Sequence, residues 1–150
     1  MPFVSVTRLR IRSVRFMPAF VFHTWRTMRQ VRGAPGFLTG QVAGGPNRTF
    51  WTITVWSDEA AMRAYRNGGA HMRAMPRLLD WCDEAAVAHW EQRSAELPAL
   101  AEAAERLGRA GRLSKVRHPS LAHERRETWP DRLVPLGGLV LQPRGGRSDA

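Results

Sequence analysis

The sequence is poor in cysteine and lysine and has no long apolar run, and two of these shortages exclude classes of protein. Cys82 is the only cysteine, so an internal disulfide and a cysteine-based metal cluster are both excluded. No apolar run approaches the roughly 20 residues that a membrane span needs. The first residues pass directly into strand-like sequence, without the charged and apolar regions of a signal peptide. We therefore expect a cytoplasmic protein without a membrane span.

The net charge of +10 raises the question of a nucleic-acid partner. The basic residues are almost all arginine, with Lys115 the only lysine, and they are spread along the chain. In the densest cluster, Arg8, Arg10 and Arg12 alternate along a predicted strand, and we interpret their shared face as a solvated outer surface. We therefore expect no specific nucleic-acid binding, and any weak binding should be lost at moderate salt.

Alternating and helix-period patterns predict the order strand, helix, strand, strand, helix, strand in the first part of the chain. The strands are predicted at residues 3–11, 37–43, 49–56 and 84–91. The first helix begins at Pro18 and ends near Arg32, and the second is capped by Ser57 and ends near Asn67. A further helical stretch follows, and Pro76 is expected to break or restart it. This order is the split β-α-β of an antiparallel, ferredoxin-like α+β fold.

The character of the sequence changes after Gln92. We divide the chain into a ferredoxin-like domain over residues 1–92 and a C-terminal helix and extended tail over residues 93–150. Residues 97–107 predict an amphipathic helix, and residues 134–141 are apolar enough to pack. The last residues, 143–150, are expected to be disordered. We expect the helix and tail to pack across the outside of the domain or onto a partner subunit.

Both faces of the third predicted strand carry large side chains. Phe50, Thr52, Thr54 and Trp56 alternate with Trp51, Ile53 and Val55. An open sheet with helices on one side leaves its other face apolar, so we expect a homodimer formed sheet to sheet. Trp51 and Trp56 lie on opposite faces, and we expect one to line a ligand pocket and the other the dimer interface. Plain core packing is the alternative for each of them.

A resemblance to a known superfamily begins at the third strand. Residues 52–65, Thr-Ile-Thr-Val-Trp-Ser-Asp-Glu-Ala-Ala-Met-Arg-Ala-Tyr, resemble the strand-to-helix signature of the dimeric α+β-barrel superfamily, which includes the antibiotic biosynthesis monooxygenases. Residues 68–75, Gly-Gly-Ala-His-Met-Arg-Ala-Met, are similar to spheroidene monooxygenase-like proteins and a related uncharacterised bacterial family. The resemblance covers about the first 92 residues. It implies a homodimeric α+β barrel and a small monooxygenase-like enzyme of secondary metabolism, acting on a hydrophobic polycyclic or isoprenoid molecule.

Alternatives within the same superfamily stay open. The haem-degrading monooxygenases of this group carry an Asn on the first strand, a Trp on the second helix and a haem-ligating His ten residues after that Trp. The matching positions here are Thr7, Tyr65 and Met75, so haem degradation of that type is not expected. A non-redox cyclase of polyketide type and a haem- or lipophile-binding protein without turnover are the other candidates. Both haem and the absence of any cofactor are compatible with the sequence.

Eight residues are candidates for the site. His71 follows the Gly68-Gly69 turn and is a candidate acid or base, or the ligand of haem iron if haem binds. Tyr65, the only tyrosine, is the second catalytic candidate, as a hydrogen-bond donor. For each of the eight candidates, an ordinary structural role is the alternative. The candidates for ligand binding are Ser5, Thr7, His23, Trp51, Trp56 and Met75.

Overall fold

A six-stranded antiparallel sheet carries five helices in the computed structural model, which describes residues 1–126 and 138–145. The strands are β1 (Phe3–Ile11), β2 (Phe37–Gly45), β3 (Thr49–Trp56), β4 (Cys82–Glu91), β5 (Arg112–Leu113) and β6 (Gly138–Leu141). The helices are α1 (Met17–Arg32), α2 (Glu59–Arg66), α3 (Gly69–Trp81), α4 (Leu100–Ala110) and α5 (Leu121–Glu124). The strand order is β5-β4-β1-β3-β2-β6. The predicted ferredoxin-like α+β fold with an antiparallel sheet is confirmed.

The alternation of β1 decides which side chains meet the helices. Ser5 and Thr7 lie on one face, and they stand opposite Thr54 and Thr52 of β3. Successive residues of a strand point to opposite faces, so these four side chains share the side on which α1, α2 and α3 pack. The sheet face under these helices therefore carries a polar patch.

Two local predictions need correction. Pro76 does not interrupt the helix, because α3 continues through it from Gly69 to Trp81. Pro76 lies on the exposed side, while Ala74 and Trp81 bury the opposite side and hold the helix on the core despite the lost hydrogen bond. The N-cap of α2 is Asp58, not Ser57, since the Asp58 carboxylate accepts the Ala61 N–H at 2.8 Å.

The second face of the sheet is covered by α4 of the same chain. Ala103 and Leu107 of α4 pack in one cluster with Val4 and Ile53 of the sheet. Trp51 belongs to this cluster and is 2% exposed. The apolar face that led us to expect a sheet-to-sheet homodimer is thus covered without a partner. The dimer stays a prediction, to which we return below.

Arg8 and Arg10 do not lie on a solvated face, contrary to our interpretation of the sequence. Arg8 is 4% exposed, and its guanidinium lies 2.8 Å from the Glu84 carboxylate. Arg10 lies 3.3 Å from the same carboxylate and 3.4 Å from that of Asp83. Ser120 adds a hydrogen bond to Glu84 at 2.8 Å. The alternation in β1 is visible in the sequence, but the acid partners come from β4 and lie more than seventy positions away in sequence.

The C-terminal part adds an edge strand. β6 pairs with β2, where Leu141 stands opposite Gly40. Of the described part of the apolar segment 134–141, Leu141 is buried as expected, whereas Leu139 and Val140 stay exposed. Arg144 donates its backbone N–H to the Arg32 carbonyl at 2.7 Å, so disorder does not begin at residue 143 as expected. Residues 134–137 and 146–150 lie outside the described residues. Within the described ranges, no helix has the length and apolar character needed to cross a membrane.

Candidate functional site

A cavity of about 430 Å³ lies between the sheet and the helices α1 to α3. This volume falls in the range of roughly 300–1,000 Å³ that is typical of small-molecule sites. Most of the wall is apolar, so the cavity favours a hydrophobic ligand. The apolar lining includes Leu9, Phe20, Met28, Phe50, Met62 and Leu78.

Four hydroxyl groups form the floor of the cavity. They belong to Ser5 and Thr7 of β1 and to Thr52 and Thr54 of β3, which stand opposite one another as two cross-strand pairs. Among the described residues, none of the four hydroxyls has a hydrogen-bond partner. They are therefore available to bind oxygen atoms of a ligand, which is the role expected for Ser5 and Thr7.

His71 lies in the cavity wall in the first turn of α3. Its ring Nδ1 is 3.2 Å from the Arg66 carbonyl oxygen, which can only accept, so Nδ1 carries the proton in the neutral ring. Nε2 then keeps its lone pair, with no partner among the described residues. Burial lowers the pKa of His71 below its ordinary value, so the ring is neutral at pH 7. A neutral imidazole with a free Nε2 can accept a proton or ligate a metal.

Gln30 of α1 fixes the turn that carries His71. Its Nε2 donates to the carbonyls of Tyr65 and Gly68, at 3.1 and 2.8 Å. Its Oε1 accepts the backbone N–H of His71 at 2.8 Å. Gly69 has a φ of +57°, and a Cβ at this position would lie 3.1 Å from the Gln30 carboxamide. Of the two glycines predicted as a turn, Gly69 is therefore the one that this close approach requires.

Gly69→Ala should lower the free energy of unfolding by about 1–2 kcal/mol, because it combines a left-handed φ with a crowded Cβ. Gly108→Ala is the matched control. Gly108 lies inside α4, where a Cβ would meet no atom within 4 Å, so this change should stabilise the protein by about 0.5–1 kcal/mol. Urea unfolding of the two variants measures both effects. A destabilisation of equal size at both positions would contradict this account of the turn.

Tyr65 lies between Trp56 and His71. The ring centroid of Tyr65 lies 5.1 Å from that of Trp56 and 5.0 Å from that of His71. The phenol donates to the Thr27 carbonyl at 3.4 Å. Burial raises the pKa of Tyr65 well above its ordinary value, and the contact with Thr27 offsets only part of this. Tyr65 is therefore a neutral phenol, suited to donate a hydrogen bond and unsuited to act as a base.

The structure brings most of the candidate residues together. His23 and Met75 also line the cavity, and His23 Nε2 lies 2.9 Å from the guanidinium of Arg77. Neither tryptophan lines it. Trp56 is fully buried behind Tyr65 and Phe37, and Trp51 points to the other face under α4, so core packing accounts for both.

Further lining residues were not recognised in the sequence. Thr52, Thr54 and His89 follow from the alternation of β3 and β4, once the register with β1 is known. Arg112 and Lys115 could not have been found in this way. They reach the cavity because β5 returns to the edge of β4 after α4 has crossed the other face, and no local pattern predicts that return.

Solved structures share this fold. A variant of SnoaB, described as a cofactor-independent oxygenase from Streptomyces nogalater, is 18% identical over 65% of this chain and 98% of its own, with a TM-score of 0.53. A putative antibiotic biosynthesis monooxygenase from Nitrosomonas europaea is 13% identical over 61% of this chain and 99% of its own, with a TM-score of 0.55. Rv0793 from Mycobacterium tuberculosis is 10% identical over 63% of this chain and 97% of its own, with a TM-score of 0.57.

These neighbours confirm the resemblance to antibiotic biosynthesis monooxygenase-like proteins at the level of the fold. A comparison with curated proteins gives no match. A family model described as a domain of unknown function (DUF3291) matches residues 15–113, which include most of the cavity-lining residues. The chain therefore belongs to the DUF3291 family.

Proposed function

We propose that this protein is a small monooxygenase-like enzyme that acts on a hydrophobic small molecule. The observation that carries the proposal is the combination within one cavity of apolar walls, a floor of four free hydroxyls and a neutral histidine with a free Nε2. SnoaB, which shares the fold, is described as a cofactor-independent oxygenase, and this supports the choice of reaction class. An apolar pocket with a few convergent polar groups is the usual form of an enzyme site for such substrates.

His71 is the base in this proposal. Its Nε2 takes a proton from a substrate carbon next to a carbonyl group. Floor hydroxyls such as those of Ser5 and Thr7 donate hydrogen bonds to the enolate oxygen that forms. The enolate carbon then reacts with dioxygen. A CH₂ group and O₂ become C=O and H₂O, so the carbon loses four electrons and the two oxygen atoms gain them.

Haem is a second candidate, because one observation favours it. The free Nε2 and neutral ring of His71 are what a protein ligand of haem iron requires, so the residues present fit the group. His71 would hold the iron, and Met75 lies in the same lining one turn further along α3. Bound haem would supply activation of dioxygen. The hydroxyl floor would orient the substrate in either case.

Oxygen uptake with anthrone, a tricyclic ketone with an acidic CH₂ group, tests the proposal. We expect the purified protein to consume one O₂ for each anthraquinone formed, above the rate in buffer alone. A Soret band in the purified protein, lost in His71→Ala, would indicate the haem-dependent form. Binding of anthrone without oxygen uptake would contradict the oxygenase and favour a non-redox cyclase or a lipophile-binding protein.

We also propose a cytoplasmic homodimer. Part of the apolar surface left exposed lies on α1, where Val21, Phe22 and Trp25 are 55%, 52% and 49% exposed. A second copy would remove this surface from water. We expect a dimer mass by light scattering at micromolar concentration, and a monomer mass would contradict this assembly.

A further inference from the structure

Every charged side chain among the described residues that line the cavity is basic. Arg66, Arg112 and Lys115 belong to the lining, together with three histidines, His23, His71 and His89, and no aspartate or glutamate does. The rest of the wall is apolar or carries hydroxyl and backbone groups. Charges beside an apolar wall interact more strongly than charges in open water. The lining therefore carries a net positive charge at neutral pH, with Arg66 half-buried and Arg112 and Lys115 exposed.

Arg66 and Arg112 come from different elements and act on the same region. Arg66 is the last residue of α2, directly before the turn that carries His71. Arg112 begins β5 and stands opposite Val87, two residues before His89 on the same face of β4. Burial first, and then the charges of Arg112 and Arg66, lower the pKa of His89. Both guanidinium groups are thus within electrostatic reach of one side chain.

Neither arginine is neutralised by an acid among the described residues. The side chain of Arg66 makes one hydrogen bond, to the Asn67 amide oxygen at 3.5 Å. Within the same ranges, the side chains of Arg112 and Lys115 make no hydrogen bond or ion pair. Glu59 is the acid whose charge reaches His89, and its carboxylate is held by Arg63. By contrast, the arginines of α4 each pair with a glutamate one turn away.

We propose that the ligand of this cavity is an amphipathic anion, in which a carboxylate or sulfonate group binds Arg66 and Arg112 and an apolar body fills the cavity. Lys115 lies along the same β4 edge and adds a third positive charge to the cavity lining. A planar guanidinium forms paired hydrogen bonds with such oxyanions. The inference rests on the proposed function, since it names the substrate class for the same site.

Two fluorescent dyes that differ by one charged group test the inference. Anilinonaphthalene sulfonate carries the anion, and phenylnaphthylamine is the same molecule without it. We expect the wild-type protein to bind one molecule of either dye per cavity, the sulfonate about tenfold or more tightly, as charge-assisted hydrogen bonds imply. Raising the salt from about 0.05 to about 0.5 M should weaken binding of the sulfonate and leave the neutral dye unchanged.

The double variant Arg66→Gln/Arg112→Gln should lose the preference for the sulfonate and keep its affinity for the neutral dye. Arg109→Gln is the matched control, because Arg109 lies on α4 at the opposite face, is 79% exposed and pairs with Glu105. Equal binding of the two dyes by the wild type, or a preference that survives in the double variant, would overturn the inference and leave the proposed function intact. Absence of binding by both dyes would contradict the proposed function as well. The double variant could also lose affinity for both dyes equally, and the salt dependence of the wild type then decides. Sulfonate binding by the wild type that does not weaken with salt would overturn the inference.

Discussion

Replacing His71 with asparagine is expected to lower kcat for oxygen uptake by about 10²–10⁴-fold, the contribution of a general base. Asparagine keeps the backbone N–H that binds Gln30, so the turn and the start of α3 should stay in place. It has no nitrogen that can take a proton at neutral pH. Steady-state oxygen uptake with anthrone measures the loss, which should appear in kcat with little change in KM.

His118→Asn is the matched control for this variant. His118 is 56% exposed, lies 4.0 Å from Asp80 and does not line the cavity. Its replacement should leave kcat unchanged. Full activity in His71→Asn would remove His71 from the mechanism and direct attention to the other histidines of the lining.

The pH dependence of kcat/KM gives an independent test of the same role. The base must be neutral to accept a proton, and burial lowers the pKa of His71. The rate should therefore be constant near pH 7 and fall on acidification, through a pKa below the ordinary 6.5. The pKa values of His23 and His89 are also lowered, so the assignment needs the variant. His71→Asn should lack this fall if His71 is the base.

The largest expected effect on stability comes from Glu84→Ala. The Glu84 side chain is 3% exposed, and its carboxylate lies 2.8 Å from the Arg8 guanidinium and 3.3 Å from that of Arg10. Removing the acid from such a buried pair takes away the Glu84 carboxylate that Arg8 and Arg10 share and should cost about 3–5 kcal/mol. Glu105→Ala is the control, since its pair with Arg109 is exposed and contributes at most about 0.5 kcal/mol. Urea unfolding compares the two, and a similar small loss for both would contradict the importance of the buried pair.

Acid should weaken the same interaction. Burial alone would raise the pKa of Glu84, but the hydrogen bonds from Arg8 and Ser120 and the charges of Arg8 and Arg10 outweigh it and lower the pKa. A lowered carboxyl pKa stabilises the fold above the unfolded value of about 4.3, and this stabilisation is lost as the pH falls through the folded pKa. The wild type should lose this part of its stability below about pH 4, whereas Glu84→Ala has none of it to lose. Asp83 has the opposite effect on the pH dependence of stability, because burial raises its pKa and its charged form therefore weakens the fold.

Local patterns in the sequence predict the elements well. The alternation of β1 places Ser5 and Thr7 on the helix side, and the proline and glycine signals define α1 to within a residue or two. What the patterns miss depends on partners far away in sequence. Arg8 has the same alternating position as a solvated arginine, and its burial follows from Glu84 on the neighbouring strand. Similarly, the second face of β3 is covered by α4, and not by the partner subunit that the sequence suggested.

The same distinction holds for the site. His71 and Tyr65 could be selected because the glycine turn and the single tyrosine are visible in the sequence. Their contact at 5.0 Å follows from the way Gln30 holds the turn, and this was not predicted. We expected either Trp51 or Trp56 to line the pocket, with core packing as the alternative for each, and neither lines it. The side chain of Tyr65 lies between Trp56 and His71, which the sequence does not show.

The most direct test of whether this cavity binds the ligand is a titration with phenylnaphthylamine. It compares the wild type with a variant in which a larger side chain fills the cavity. Ala74 of α3 is 6% exposed and lines the cavity, so Ala74→Phe should place a ring where the ligand binds. Ala101→Phe, on the exposed side of α4, is the control. We predict one bound dye per chain in the wild type and in Ala101→Phe, and at least about tenfold weaker binding in Ala74→Phe. Equal affinity in all three proteins would place the ligand elsewhere and contradict the assignment of this cavity as the site.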